Sequence, residues 1–195
     1  MGNNKSTVSG RYVIMVGTAS FLLAIIFFWF SELLASKVKS LFLSFLFLVI
    51  IILIGILADI VGTAVAAAEE SPFHARAAKR VRGAREGVYL IRNADRVANI
   101  CNDVIGDIAG TVSGALGIAL VLQILLYWKG INQALLNMMV TALIAAFTVG
   151  GKAAGKRIAI SRANEVIFLV GKLLAAFEQL TGISVIRKKN RRAGK

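Results

Sequence analysis

This sequence is short of almost everything from which catalytic and metal sites in soluble proteins are built. Its 195 residues include one cysteine, one histidine and one proline. Cys101 alone excludes an internal disulfide and a multi-cysteine metal site, and reads as a small packing residue. His74 alone cannot supply a histidine-based metal site or a Ser-His-Asp triad. No HExxH helix or glycine-rich phosphate loop occurs, so an enzyme is not expected. Acidic residues are scarce too: 10 against 23 lysines and arginines, a formal net charge of +13. In a soluble protein that charge would suggest nucleic acid. Here RNP, zinc-finger and helix-turn-helix patterns are missing, and the basic residues sit between and after long apolar blocks. That is the pattern of a membrane protein facing an anionic leaflet, with no nucleic-acid partner.

What is present is hydrocarbon. Hydrophobic residues make up 57% of the chain and charged ones 17%, against about 45–50% and about 25% in ordinary globular domains. A bilayer core of about 30 Å needs roughly 20 helical residues, and four segments are long enough: Tyr12 to Ala35, Leu41 to Ala68, Val97 to Trp128, and Gly130 to Gly151. Lys129 and Gly130 alone separate the last two, which predicts a tight antiparallel hairpin. The first run, after Lys5 and Arg11, exceeds a signal-peptide core and lacks a clear small-x-small cleavage site, so it reads as an uncleaved anchor. With four spans, all but three of the 23 lysines and arginines fall on one side, the three being Lys37, Lys39 and Lys129. The positive-inside rule then puts both termini in the cytoplasm. The expectation is an all-α, multi-pass protein of the inner cell membrane. Phe28, Trp29 and Phe30, with Tyr127 and Trp128, would form its outer aromatic belt.

Two basic amphipathic helices are expected on the cytoplasmic side. One runs from Ser71 through Arg92, with Ser71 as N-cap, Pro72 at the first helical position, and Phe73, Ala77, Val81, Ala84 and Val88 on one face. The other starts at a Ser161 cap and ends at Gly182, with a stripe of Val166, Val170, Leu173, Phe177 and Leu180. Helices of this kind lie in the membrane surface or pack beneath the spans. The tail from 183 to 195 reads as disordered and attracted to anionic lipid.

Polar residues intrude on the spans in a pattern. In the third, Asp95, Asn99, Asp103, Asp107 and Thr111 recur every four residues and share a face. Beside them run Asn102, Gly106, Gly110 and Gly114, two overlapping GxxxG units that let another backbone approach closely. The second span repeats this with Asp59 and Thr63 beside Ala58, Gly62 and Ala66. Ile108 to Trp128 is uncharged and already about 31 Å long at 1.5 Å per residue. Two readings therefore stay open. The carboxylates are independent interfacial groups, or they share a polar cluster facing the protein interior. Carboxylates, amides and hydroxyls are hard oxygen ligands of the kind that hold magnesium, so Asp59, Thr63, Asn102, Asp103 and Asp107 form the candidate metal set.

The segment from Ala58 to Gly110 resembles the transmembrane domain of the CorB/CorC and cyclin-M magnesium transporters. The matches are Gly62 and Ala66, then Gly83-Ala84-Arg85, then Asn93-Ala94-Asp95-Arg96, then Ile105-Gly106 with Asp107 where the family has asparagine. The resemblance covers residues 41–182, without the CBS domains. It implies a homodimer with a Mg2+ site between the second and third spans of each protomer. Residues 1–37 would be a tail and an additional span, 38–182 the CorB/CorC-like domain and 183–195 the basic tail. Lys152 stands where the family has a glutamate. It would either snorkel to the headgroups or pair with the carboxylates and close the site. In the second case the chain would be a non-transporting membrane module that dimerises and engages lipid or a separate cytoplasmic regulatory subunit.

Overall fold

The computed structural model describes residues 10–37, 40–128 and 130–182. The lysines at 5, 39 and 129 and the basic tail from 183 to 195 lie outside them. Among the described residues all regular structure is helical. The helices are α1 (Gly10–Lys37), α2 (Leu41–Ala67), α3 (Ser71–Ala78), α4 (Ala84–Arg92), α5 (Ala94–Asn99), α6 (Gly106–Tyr127), α7 (Gln133–Ser161) and α8 (Ala163–Thr181), with a π-helical segment, Ile100–Ile105, joining α5 to α6. Three helical stretches are long and apolar enough to cross a membrane: Leu41–Ala67, Ala94–Tyr127 and Gln133–Ser161. In α1 the described part of the apolar stretch is Ile14–Trp29.

The chain divides into two compact units, one made of residues up to Gly55 and Asp107–Thr148, the other of Ile56–Gly106 and everything from Val149. In the first unit α6 buries one face, Ile108, Val112, Leu116 and Leu120 among others, and α2 buries Leu48, Ile51 and Ile52. Gly117 of α6 lies against Val140 and Ile144 of α7, so the expected hairpin forms. Asn132 stands just before α7. Its Oδ1 accepts from the backbone N–H groups of Ala134 (2.9 Å) and Leu135 (3.3 Å), which caps α7.

The second unit is built around Ala64, Val65, Phe73, Leu90, Ala159 and Ile167, all buried. α2 and α7 run side by side and parallel in it. Ile56 covers Gly151 and Ile60 covers Gly155, so a side chain at either glycine would have to displace an isoleucine. Phe73 lies over Gly87 and meets the edge of Phe168 at 6.4 Å between ring centroids. The Phe168 ring carries Arg76 at 4.4 Å and Lys172 at 4.6 Å. On α8, Gly171 lies so close to Gly83 that a Cβ there would fall on the Gly83 carbonyl oxygen.

Several expectations are corrected. Residues 71–92 are two helices, not one. α3 stops in a Schellman turn: Arg80 N–H bonds the Ala77 carbonyl (3.0 Å) and Val81 N–H the Arg76 carbonyl (3.0 Å), with Arg80 left-handed at φ 55° where glycine is usual. Gly83, at φ 86°, then starts α4. Ser71 is not the cap. α3 begins at Ser71 itself after Glu70, and Pro72 lies in its first turn. α7 continues ten residues past Gly151, to Ser161, and α8 starts at Ala163 after a non-helical Arg162 (φ −127°, ψ 34°). The face of α8 that packs is Ala163, Ile167 and Gly171. Of the expected stripe, Val166 and Val170 pack against the core at the edge of this face, whereas Leu173, Phe177 and Leu180 are exposed. The small residues win because Gly171 admits the α4 backbone at a distance no larger side chain allows.

Candidate functional site

The polar residues of the second unit meet where α2 passes the π segment. A wide turn closing on the fifth residue bonds the Gly106 N–H to the Cys101 carbonyl. Such π turns interrupt α-helices mostly as single inserts and often at functional positions. The insert changes the phase of the helix, and Asn102 comes down on Gly62 of α2. A Cβ at Gly62 would occupy the space of the Asn102 carboxamide, so Gly62 is what lets the amide in. One helical turn earlier on α2, Asp59 is 5% exposed. Among the described residues, neither Asp59 Oδ2 nor Asn102 Oδ1 has a hydrogen-bond partner, and both atoms are buried. Thr63 and Asn102 are half-buried.

Two lysines of α7 approach this region. Lys156 Nζ stands 4.0 Å from Asp59 Oδ2, a charge contact too long for a hydrogen bond. Lys152 is half-buried, its Nζ 3.4 Å from the point a Gly106 Cβ would occupy. The cation beside Asp59 is thus Lys156, one turn beyond the lysine singled out in the sequence.

The other candidates are not drawn in. Asp103 is exposed and accepts a hydrogen bond from Asn99 Nδ2 at 2.9 Å, along the expected four-residue spacing. Asp107 belongs to the first unit, is exposed, and its backbone carbonyl accepts from the Thr111 hydroxyl at 2.9 Å. Of the expected packing glycines, Gly62 and Gly106 meet other side chains, whereas a Cβ at Gly110 or Gly114 would have open space around it. Among the described residues no group of three or more His, Cys, Asp or Glu side chains is arranged to hold a metal ion. Any cation held here would rest on one carboxylate with neutral oxygens.

Sequence reasoning missed Lys156 and the π segment. The first had a signal. Gly151, Gly155 and Ala159 form a small-residue stripe that presses α7 onto α2, and Lys156 follows Gly155 directly. The second had none, because a π turn differs from an α turn by one residue and not by composition. No family model, no curated protein and no solved structure matches this chain.

Proposed function

We propose that this chain is a multi-pass protein of the inner cell membrane that handles a divalent cation, Mg2+, beside Asp59, Thr63 and Asn102. The observation that carries the reading is the pair of buried, unpartnered oxygens, Asp59 Oδ2 and Asn102 Oδ1. Buried polar atoms in native proteins are nearly always satisfied, and an exception points to a water or an ion. Hard oxygens suit magnesium, which keeps much of its water and commonly uses only one or two carboxylates. The resemblance of residues 41–182 to the CorB/CorC and cyclin-M domain supports the same reading, including transport or efflux and a homodimer.

A second reading rests on the 4.0 Å approach of Lys156 to Asp59. There the lysine supplies the positive charge, the site is a structural ion pair, and the chain is a non-transporting module whose basic helices engage anionic lipid or a separate regulatory subunit. Thermal melting in detergent and flux in liposomes separate the two. If a cation binds, Mg2+ at a hundredfold excess over its Kd stabilises the wild type by about 2.7 kcal/mol and leaves Asp59→Asn unmoved. If wild-type melting and flux ignore Mg2+ while Lys156→Gln lowers the melting temperature, the ion pair stands and the cation reading falls.

A further inference from the structure

The turn between α3 and α4 forms a half-open pocket of about 250 Å3 that plays no part in the site above, and its arginines are exposed. Ala77 and Val81 form its apolar wall, and Arg80, Arg82 and Arg85 line it together with Glu86. This volume lies below the ~300–1,000 Å3 of pockets for drug-sized ligands, which suits a small anion. Elsewhere in the same unit several cationic side chains are engaged, Arg92 with Glu70, Arg162 with Glu165, Lys156 with Asp59, and Arg76 and Lys172 over Phe168, and others such as Arg157 stand singly on their helices. Among the described residues the side chains of Arg80, Arg82 and Arg85 make no ion pair and no hydrogen bond. Three guanidinium groups within six residues repel one another unless an anion joins them. Their planar forks match the oxygens of phosphate better than an ammonium does.

The surroundings point the same way. α4 starts at Gly83 without a side-chain cap, so its positive end adds to the field in the pocket. The turn is braced from behind by close contact of Gly83 with the backbone of Gly171 and Lys172 on α8, which fixes the spacing of the arginines. Glu86 is the one carboxylate in the lining and offsets a single positive charge. In a chain with helices fit to cross a bilayer, phosphate reaches such a turn either from solution or as a lipid headgroup.

We propose that the α3–α4 turn is a binding site for a phosphate monoester group, held by Arg80, Arg82 and Arg85. The test uses the whole protein in nanodiscs of phosphatidylcholine. In one arm inorganic phosphate is titrated by calorimetry. In the other, discs containing phosphatidic acid are compared by melting temperature with discs holding equal phosphatidylserine, which has no monoester. Saturable phosphate binding identifies a soluble source, and a higher melting temperature with phosphatidic acid identifies the headgroup. In either case Arg82→Gln or Arg85→Gln weakens the effect roughly tenfold, the worth of one charge-assisted hydrogen bond, with the variants' own melting in plain discs unchanged. Arg157→Gln, which removes an exposed charge from α7, weakens it less than about twofold. The proposal falls if neither arm shows an effect. It also falls if Arg157→Gln weakens binding as much as Arg82→Gln, because general attraction of anions to a basic protein would then suffice.

Discussion

Glu70 receives two donors at once: Arg92 Nε at 2.6 Å and His74 Nε2 at 2.7 Å. The Arg92 terminal nitrogen stands 3.5 Å from His74, so three side chains close a ring between the start of α3 and the end of α4. The hydrogen bond from Arg92, and after it the one from His74, hold the Glu70 carboxyl below its ordinary value. A carboxyl lowered in the folded state adds stability above its unfolded pKa and loses it as pH falls through the folded one. Protection of the amides at the start of α3, taken relative to the intrinsic exchange rate at each pH, is therefore expected to fall as pH drops below the ordinary carboxylate range, and to fall less in Glu70→Gln. In Arg92→Gln the Glu70 titration midpoint, read by NMR, should rise toward the ordinary value. A midpoint unmoved by that change would mean that Arg92 is not the principal cause. Because the group is exposed, added salt should shrink the effect.

At the scale of the element, glycine contacts differ in what lies opposite them. A Cβ on Gly171 would strike the Gly83 carbonyl and come within 3.1 Å of the Gly87 nitrogen, both backbone atoms that cannot step aside. A Cβ on Gly117 would meet the Cδ1 end of Ile144, which can rotate away. Alanine gains up to about 1 kcal/mol over glycine in a helix interior, while overpacking costs typically about 1–3 kcal/mol. Gly171→Ala is thus expected to lower stability by about 1–2 kcal/mol and Gly117→Ala to be neutral or mildly stabilising, as judged by thermal melting in one detergent. Equal losses at the two positions would refute this account of the α4–α8 contact. The same contacts explain what was legible beforehand. α2 could be bounded almost to the residue, because an unbroken apolar run between polar ends leaves little choice. The break after Ala78 was hidden, since Arg80 takes the left-handed position that glycine normally announces, and the charges around it keep a helical spacing. In the candidate site the face holding Asp59, Gly62 and Thr63 was readable from period and side-chain size. Its partner Lys156 was signalled only by the small-residue stripe beside it, because which turn of α7 reaches Asp59 depends on where Gly151 and Gly155 seat Ile56 and Ile60.

For the whole molecule the open quantity is the sidedness of the N-terminus, and α1 decides it. Its uncharged run, Tyr12 to Ser31, is 20 residues long, about 30 Å at 1.5 Å per residue and enough for a core of about 30 Å. The helix itself is 28 residues long, and the sequence carries no charge between Arg11 and Glu32. Crossing also takes Phe21, Ile25, Phe28 and Trp29, all exposed, out of water. The three longer helices alone put the two ends of the chain on opposite sides, and a crossing α1 brings them to the same side. Arg80, Arg82 and Arg85 fix which side that is, because they lie in the connection between α2 and α5 and lysine and arginine are retained in the cytoplasm. Reporter fusions at each terminus, read against Arg82→Cys labelled with an impermeant maleimide in a Cys101→Ser background, should place both ends and Arg82 in the cytoplasm. An N-terminal reporter outside with the C-terminal reporter inside would mean that α1 lies along the surface and that only the three longer helices cross.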